Sequence, residues 1–377
     1  MNIVTKIKQL IEELCPNGIS YKELQDILTI KNGSDYKNLG EGDFPVYGSG
    51  GIMTYVDRFA YDKPSVLIPR KGSIDKLYYV DTPFWNVDTI FYTEINTDVA
   101  IPKFVFYCLQ KQHLEELNTA GGVPSLTQKV LNKVKIPVPP LPVQEEIVRI
   151  LDTFTELTTE LTTELTTRKQ QYEHYTYQLL NFDDTVQTHQ LRELIDFRNG
   201  KGHEKDIVSD GKYIVVNSKF ISTNGEVKKY SNKQTCPLFV DDILMVMSDL
   251  PNGRALAKCF LVAEDDKYTL NQRIGAFHVK DESVIKTKFL LYVLNRNQQL
   301  LRYDNGVDQT NLRKDDILDI MIPVPSIEEQ ERIVAILDRF DTLCNDISEG
   351  LPAEIEARQK QYEYYRDKLL TFKALSA

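Results

Sequence analysis

Residues Ile136–Phe154 read IPVPPLPVQEEIVRILDTF, and residues Ile322–Phe340 read IPVPSIEEQERIVAILDRF. At an offset of 186, 12 of the 19 positions are identical, so the chain contains an internal duplication. Each copy begins with a proline-rich entry that cannot be helical and then runs into a helical pattern. Further on, Arg168–Phe182 (RKQQYEHYTYQLLNF) matches Arg358–Phe372 (RQKQYEYYRDKLLTF) at an offset of 190, so the second copy carries four extra residues between its two blocks. In the first copy Ile147, Ile150, Leu151, Phe154, Leu157, Leu161, Leu165, Tyr172, Tyr175 and Leu179 recur in helical steps, which places them on one stripe. The second copy repeats the stripe through Ile333, Ile336, Leu337, Phe340, Leu343, Ile347, Leu351, Ile355, Tyr362, Tyr365 and Leu369. A helix of about 40 residues is roughly 60 Å long. With one narrow apolar seam it needs a partner, and the other copy has the matching spacing. The seam expected to pack the pair is Leu157, Leu161 and Leu165 with Leu343, Ile347, Leu351 and Ile355. The competing reading is two separate surface helices. Pro352 predicts a kink or a restart in the second copy.

The segments between the helices are related more distantly. LQDILTIKNG (24–33) resembles LRELIDFRNG (191–200), and KFVFYCL (103–109) resembles KFLLYVL (288–294). Both segments end in Gly-Val (Gly122-Val123, Gly306-Val307), a polar stretch and a return to I-P-V-P. Short β-rich runs such as SVLIPRKGS and DDILMVMS are bounded by Gly, Pro and Asn, and one helix is expected in each segment, over 102–117 and 287–301. The expected fold is α+β: two duplicated α/β-mixed domains separated by two long helices. The boundaries read as an N-terminal helix (1–16), a globular domain (17–135), a helical spacer (136–182), a second globular domain (183–320) and a second spacer (321–377).

Composition narrows the function. The 377 residues include 16 Phe and 20 Tyr, ample for real cores. No apolar run reaches the ~18 residues a membrane span needs, and the first residues lack an apolar signal core, which predicts a cytoplasmic protein with no membrane partner. Five dispersed cysteines without a C-x-x-C predict reduced thiols and no metal site. The net charge is −10, but each globular segment carries only −1 and each helical segment −4. The helices therefore make poor phosphate binders, while the balanced globular segments can each carry a basic face. No P-loop, no strand-borne G-x-G-x-x-G, no H-E-x-x-H and no G-x-S-x-G is present. No catalytic residue is expected.

Two globular domains alternate with helices entered through IPVPP-L-x-x-Q-E-x-IV-x-ILD-x-F and closed by R-x-x-QYE-x-Y-x-x-x-LL-x-F. In this the chain resembles the specificity (S) subunits of type I restriction–modification systems, as do LIEELCPNGISYKEL and FPVYGSGG. The resemblance covers essentially the whole chain. It implies that each globular unit is a target recognition domain reading one half of a split sequence in double-stranded DNA. It also implies that the helices pair antiparallel as a coiled-coil spacer that sets the gap and docks two methyltransferase (M) subunits, which restriction (R) subunits join. S-adenosylmethionine, ATP and Mg belong to those partners, and this chain carries no cofactor. Rival readings are a coiled-coil adaptor joining two protein-binding domains, and a stand-alone hydrolase.

Base edges are read by Arg, Lys, Asn, Gln, Ser and Thr, and phosphates by Lys, Arg and glycine-rich turns. In the first domain the candidates are Lys31, Asn32, Ser34, Tyr47, Ser49, Arg70, Lys71, Ser73, Thr127, Gln128 and Lys129. In the second they are Arg198, Asn199, Lys201, Asn217, Ser218, Lys219, Asn252, Arg254, Gln272, Arg273, Gln309, Asn311 and Arg313. For any one of them the bland alternative is a solvated turn. Glu156–Thr167 is ELTT three times over. Four residues advance a helix by about 6 Å and turn it by about 40°, close to the ~34–36° turned by one base pair. Such a repeat can act as a ruler; the alternative is a slippage-prone repeat with no metric role.

Overall fold

A proline-rich entry has too few backbone donors for a helix, and in the computed structural model each I-P-V-P run begins as a short strand, with three residues between the end of the strand and the start of a helix. The structure describes residues 3–117, 125–203, 205–251, 254–346 and 349–375. Gly122, Val123, Asn252 and Ile347 lie outside them. The chain divides into two units: Met1–Glu164 with Pro352–Ala377, and Leu165–Leu351. Both divisions fall inside the helical segments, one of them within the ELTT repeat.

The first unit contains α1 (Ile3–Leu14), β1 (Tyr21–Glu23), β2 (Leu28–Asn32), β3 (Phe44–Gly48), β4 (Gly51–Val56), β5 (Ser65–Pro69), β6 (Tyr78–Val80), β7 (Trp85–Asn86), β8 (Ile90–Ile95), α2 (Pro102–Lys111), α3 (Gln128–Leu131), β9 (Lys135–Pro137) and the first part of α4 (Leu141–Leu180). The second contains the rest of α4, then β10 (Thr188–Gln190), α5 (Leu191–Leu194), β11 (Ile195–Asn199), β12 (Ile207–Val208), β13 (Tyr213–Val216), α6 (Ser218–Ser222), β14 (Tyr230–Ser231), β15 (Ile243–Val246), β16 (Ser248–Asp249), β17 (Cys259–Leu261), β18 (Tyr268–Leu270), β19 (Ile274–Val279), α7 (Thr287–Leu294), α8 (Gln298–Leu301), β20 (Thr310–Asn311), α9 (Lys314–Leu318), β21 (Met321–Pro323) and α10 (Ile327–Asn345). The last helix, α11 (Leu351–Leu369), belongs to the first unit.

The duplication holds at the level of sheet register. One sheet is ordered β2–β8–β5–β6 and its counterpart β11–β19–β15–β17. Asn32 opposes Phe91 as Asn199 opposes Gly275, and Pro69 opposes Ile90 as Val246 opposes Ile274. Strands β5 (SVLIP) and β15 (ILMV) are buried along their whole length, as continuous apolar runs in a central position must be. A second sheet in each unit contains a parallel pair, β3 with β7 and β13 with β18. The I-P-V-P strands pair back on the domain entrances, β9 on β1 and β21 on β10. The chain is a mixed α/β fold with duplicated domains and one 40-residue helix. The helices expected to run to Leu117 and Leu301 each break earlier, at residues held in the left-handed region, His113 (φ 46°) and Arg296 (φ 59°).

The helical blocks explain why their residues repeat. Gln144 is fully buried near the start of α4. Its Oε1 accepts from the Ile101 N–H at the entrance of α2 (2.8 Å), and its amide donates to the carbonyls of Val99 (3.0 Å) and Pro139 (2.7 Å). Gln330 does the same at the start of α10, with the Lys286 N–H (2.8 Å) and the carbonyls of Val284 (3.0 Å) and Pro325 (2.9 Å). Two turns further on, Asp152 takes Lys103 (2.8 Å) and the Tyr107 hydroxyl (2.6 Å), and Asp338 takes Lys288 (2.6 Å) and the Tyr292 hydroxyl (2.7 Å). Burial pushes both tyrosine hydroxyls well above their ordinary range, so both remain donors.

In the first unit Phe154 of α4 stacks on Tyr365 of α11 (5.2 Å), and Tyr362 donates to Gln110 on α2 (2.8 Å). In the second unit Phe340 of α10 stacks on Tyr172 (6.0 Å) and Tyr175 (5.5 Å) of α4. The first block of each copy therefore meets the second block of the other. After α11 the chain reaches Lys373–Leu375, which exchanges backbone hydrogen bonds with Ile19 (2.9 Å each), beside the strand pair from which α4 starts. Leu157, Leu161, Leu165, Leu351 and Ile355 are half-buried; Leu343 is exposed and the adjacent Cys344 is fully buried. The ELTT threonine hydroxyls are satisfied by bonding back one turn: Thr158, Thr159, Thr162 and Thr163 donate to the carbonyls of Phe154, Thr155, Thr158 and Thr159. The second copy restarts between Asn345 and Leu351, with Pro352 in the first turn, where it needs no donor. Gly350 is required there, since a Cβ would lie 2.4 Å from the Thr342 carbonyl oxygen.

Two outcomes are expected. Gln144→Ala or Gln330→Ala leaves several buried backbone groups unpaired and lowers stability by about 1–3 kcal/mol, read by thermal unfolding. Glu146, nearly buried, accepts from Arg149 (2.7 Å) and from Lys6 of α1 (3.0 Å), and these bonds hold its carboxyl down to about 2 against the opposing effect of burial. A depressed carboxylate stabilises most above its ordinary range near 4.5 and loses that contribution as pH falls toward 2. The protection factors of the α1 amides, with the intrinsic pH dependence of exchange divided out, should therefore fall between pH 4.5 and 2, and Glu146→Gln should abolish that fall.

Candidate nucleic-acid interface

In each unit, four separate segments meet at one end of the central sheet. They are the end of β2, the end of β5, the turn before β8, and the polar stretch before the I-P-V-P strand. Their counterparts are the ends of β11 and β15, the turn before β19 and the stretch around β20. The Arg70 N–H donates to the Thr89 carbonyl (2.9 Å) and its carbonyl accepts from Leu126 (2.9 Å). In the second unit the Met247 N–H donates to the Arg273 carbonyl (3.0 Å) and its carbonyl accepts from Leu312 (2.8 Å). Arg70 thus corresponds to Met247, Lys71 to Ser248, Thr89 to Arg273 and Ser125 to Asn311.

The repeated Asn-Gly has a steric cause. A Cβ on Gly33 would stand 2.1 Å from the Val87 carbonyl oxygen, and one on Gly200 would stand 2.0 Å from that of Asn271. Only glycine lets the strand end lie this close to the turn before the next strand, which carries Asn32 and Asn199 onto the shared face.

In the first unit this face gathers Asn32, Ser49, Arg70, Lys71, Ser73 and Gln128. Arg70 Nη1 donates to Asn32 Oδ1 (3.4 Å), and Gln128 Nε2 points at the same oxygen (3.5 Å) and donates to the Ile30 carbonyl (3.2 Å). The Arg70 guanidinium lies over the Phe91 ring (5.1 Å), and Lys71 pairs with Asp88 (3.8 Å) and bridges to Ser125. An open recess of about 700 Å³ beside them is lined by Asp35, Lys37, Ser49, Met53, Asp88 and Thr89, among others. Lys31 points to Glu94 (3.4 Å), the Ser34 carbonyl accepts from the Trp85 indole (3.0 Å), and Tyr47 packs edge-on against Phe84 (6.2 Å) in an aromatic cluster. Thr127 caps α3 through the Val130 N–H (3.3 Å), and Lys129 is exposed on that helix.

In the second unit the face gathers Asn199, Lys201, Gln272, Arg273, Gln309, Asn311 and Arg313. Lys201 bridges to Asn271, and Gln309 Nε2 donates to Ser248 Oγ (2.8 Å) and Asn311 Oδ1 (3.3 Å). Lys314 lies over the Phe197 ring (5.4 Å). Arg254 is exposed in the loop after β16. Three candidates sit otherwise. Arg198 is tied to the fully buried Asp242, which also meets His278 (3.1 Å), and it donates to the Pro237 carbonyl (3.0 Å). Asn217 caps α6 through the Phe220 N–H (2.9 Å), and the Ser218 hydroxyl is buried. Lys219 is exposed on α6, and Asn252 lies outside the described residues. The face also holds Asp88, Thr89, Ser248 and Lys314, which are not among the sequence candidates. Their signal is positional, one or two residues beyond a buried strand or just before I-P-V-P.

Hydrogen-bonding amides, hydroxyls and a few cations on strand-end loops suit the edges of bases, and no group of side chains among the described residues could hold a metal ion. No described helix is long and apolar enough to cross a membrane.

The profile of the type I restriction modification DNA specificity domain matches twice, over residues 16–168 and 183–357. A putative type I restriction enzyme specificity subunit of Haemophilus influenzae is 28% identical, over 98% of each chain. The type I restriction enzyme EcoR124I/EcoR124II specificity subunit of Escherichia coli is 34% identical, over 74% of this chain and 73% of its own. Among solved structures, the type I restriction-modification S subunit from M. genitalium superposes with a TM-score of 0.60 at 16% identity, covering 94% of this chain and 96% of that one. A chain from a structure on complex assembly and conformational transition of the type I R-M system gives 0.58 at 14%, covering 94% and 98%. These two likenesses establish the fold.

Gly33→Ala and Gly200→Ala are expected to force the strand end off the neighbouring turn and to lower stability by roughly 1–3 kcal/mol. Gly50→Ala, where nothing lies within 4 Å of the added Cβ, should leave it unchanged. Thermal unfolding of the full chain reads all three.

Proposed function

Given that the chain belongs to the type I restriction–modification DNA specificity family, we propose that it recognises a bipartite DNA sequence and performs no chemistry itself. The observation that carries this is the pair of equivalent faces: the same four segments meet in both units on the same register, yet present different side chains. Asn32, Arg70 and Gln128 in one unit, and Asn199, Gln309 and Asn311 in the other, are the base-edge readers. Lys71, Lys201 and Arg273 hold phosphates in this reading. Each globular domain, 17–135 and 183–320, reads one half-site.

The helical spacers, 136–182 and 321–377, act as an antiparallel coiled-coil pair. What supports this is that α4 stacks on α11 through Phe154 and Tyr365, and on α10 through Tyr172, Tyr175 and Phe340. The pair sets the gap between half-sites and docks two methyltransferase (M) subunits, which supply S-adenosylmethionine. Restriction (R) subunits supply the ATP- and Mg-dependent cleavage. The chain works in the cytoplasm.

The continuity of α4 through all three ELTT units makes the gap adjustable in steps. Deleting Glu160–Thr163 shortens the helix by about 6 Å and rotates its C-terminal half by about 40°. The expected result is a shorter gap with both half-sites unchanged, while exchanging residues 183–320 for those of another family member changes one half-site alone. Genome-wide adenine methylation mapping reads both. Altered half-sites with an unaltered gap would contradict the ruler.

A further inference from the structure

The two faces differ at the tip of β16 and β20. These strands pair antiparallel, Ser248 with Asn311 and Asp249 with Thr310, so the next residues outward are Leu250 and Gln309. Leu250 is 67% exposed and Val307, two residues from Gln309, is 74% exposed. An isolated exposed apolar side chain is ordinary. These two stand on braced backbone. The Asp249 carboxylate accepts from the N–H groups of Leu250 (2.9 Å), Ala255 (2.8 Å) and Leu256 (3.2 Å). On the facing loop, Asn305 Oδ1 accepts from Val307 (2.9 Å) and Asp308 (3.1 Å), and Asp304 Oδ1 accepts from Gly306 (3.0 Å) and from the Thr310 hydroxyl (3.4 Å). The amides of Gln309 and Asn311, on the strand that follows Val307, are held to each other (3.3 Å), and Gln309 is anchored on Ser248 (2.8 Å), two residues before Leu250 on the paired strand. In the first unit the corresponding run is Lys71-Gly72-Ser73, with no apolar side chain.

We propose that this two-stranded ribbon enters the major groove and reads A·T pairs, Gln309 and Asn311 bonding adenine while Leu250 and Val307 cover the 5-methyl groups of the paired thymines. The major groove admits a two-stranded ribbon. Adenine offers N6 and N7 to an amide on the same edge where thymine presents its methyl, so amides flanked by aliphatic side chains match an A·T pair and mismatch G·C. This rests on the reading of the globular units as base readers.

The test uses the chain assembled with its methyltransferase subunits, on duplexes carrying the mapped target, with the half-site of residues 183–320 assigned by domain exchange. Replacing thymine by uracil in that half-site removes only the methyl. Wild type should bind about 4-fold more weakly for each contacted methyl lost. Leu250→Ala/Val307→Ala should bind the thymine duplex more weakly and no longer distinguish it from the uracil duplex, whereas Leu250→Met should retain the distinction. Both positions are exposed, so circular dichroism should show these variants folded. Wild-type indifference to uracil, or a half-site without A·T pairs, overturns the proposal while leaving bipartite recognition standing. Loss of any bipartite methylation dependent on this chain would instead remove the reading beneath it.

Discussion

A helix with a narrow apolar stripe cannot stay out of water alone, and the stacking of Phe154 on Tyr365 and of Phe340 on Tyr172 and Tyr175 is how this chain meets that constraint. The partners lie some 165 to 211 residues apart in sequence, so the pairing decides which segments fold together. The first unit is completed by the last 26 residues of the chain, and the tail at Lys373–Leu375 is bonded to Ile19 at its entrance. In the second unit the same place is held by the end of α4, which runs on covalently into β10. A duplicated sequence has thereby produced two units closed in different ways, one by a peptide connection and the other by hydrogen bonds.

The stripe, the proline entries and the duplication were all legible in the sequence, because period and repetition are properties of residue order. The reason for the repeated Gln was not. Gln144 and Gln330 read as polar helix positions, yet each is buried and supplies an acceptor to the N–H at a helix entrance and two donors to carbonyls of the segments that precede the helices. The break before Leu351 was visible through Pro352, whereas the early ends of α2 and α7 were not, since neither His113 nor Arg296 announces a left-handed turn.

The face itself was half legible. Asn32 and Asn199 were marked by the glycine that follows each, and the geometry gives that glycine a necessary role. Elsewhere the same residue types serve the fold. Asn217 caps a helix, Arg198 neutralises a buried aspartate, and Thr127 satisfies a helix start. Composition cannot separate an Asn that caps from an Asn that reads, because both uses draw on one set of donors and acceptors. What separates them is position relative to a buried strand, and that depends on register.

Register also explains how one scaffold can serve two different readings. The backbone bonds that assemble the face, Arg70 to Thr89 and Leu126, and Met247 to Arg273 and Leu312, involve no side chain. The side chains at those positions are therefore free to differ, and they do: where one unit has arginine, lysine and serine, the other has methionine, serine and asparagine. The bonds that must not vary, those of the glutamines and of Asp152 and Asp338, serve the separate task of fixing a domain to its helix. A face assembled by main chain and a joint assembled by side chains can change independently, so the side chains the face presents and the bonds that fix the domain to its helix need not be coupled.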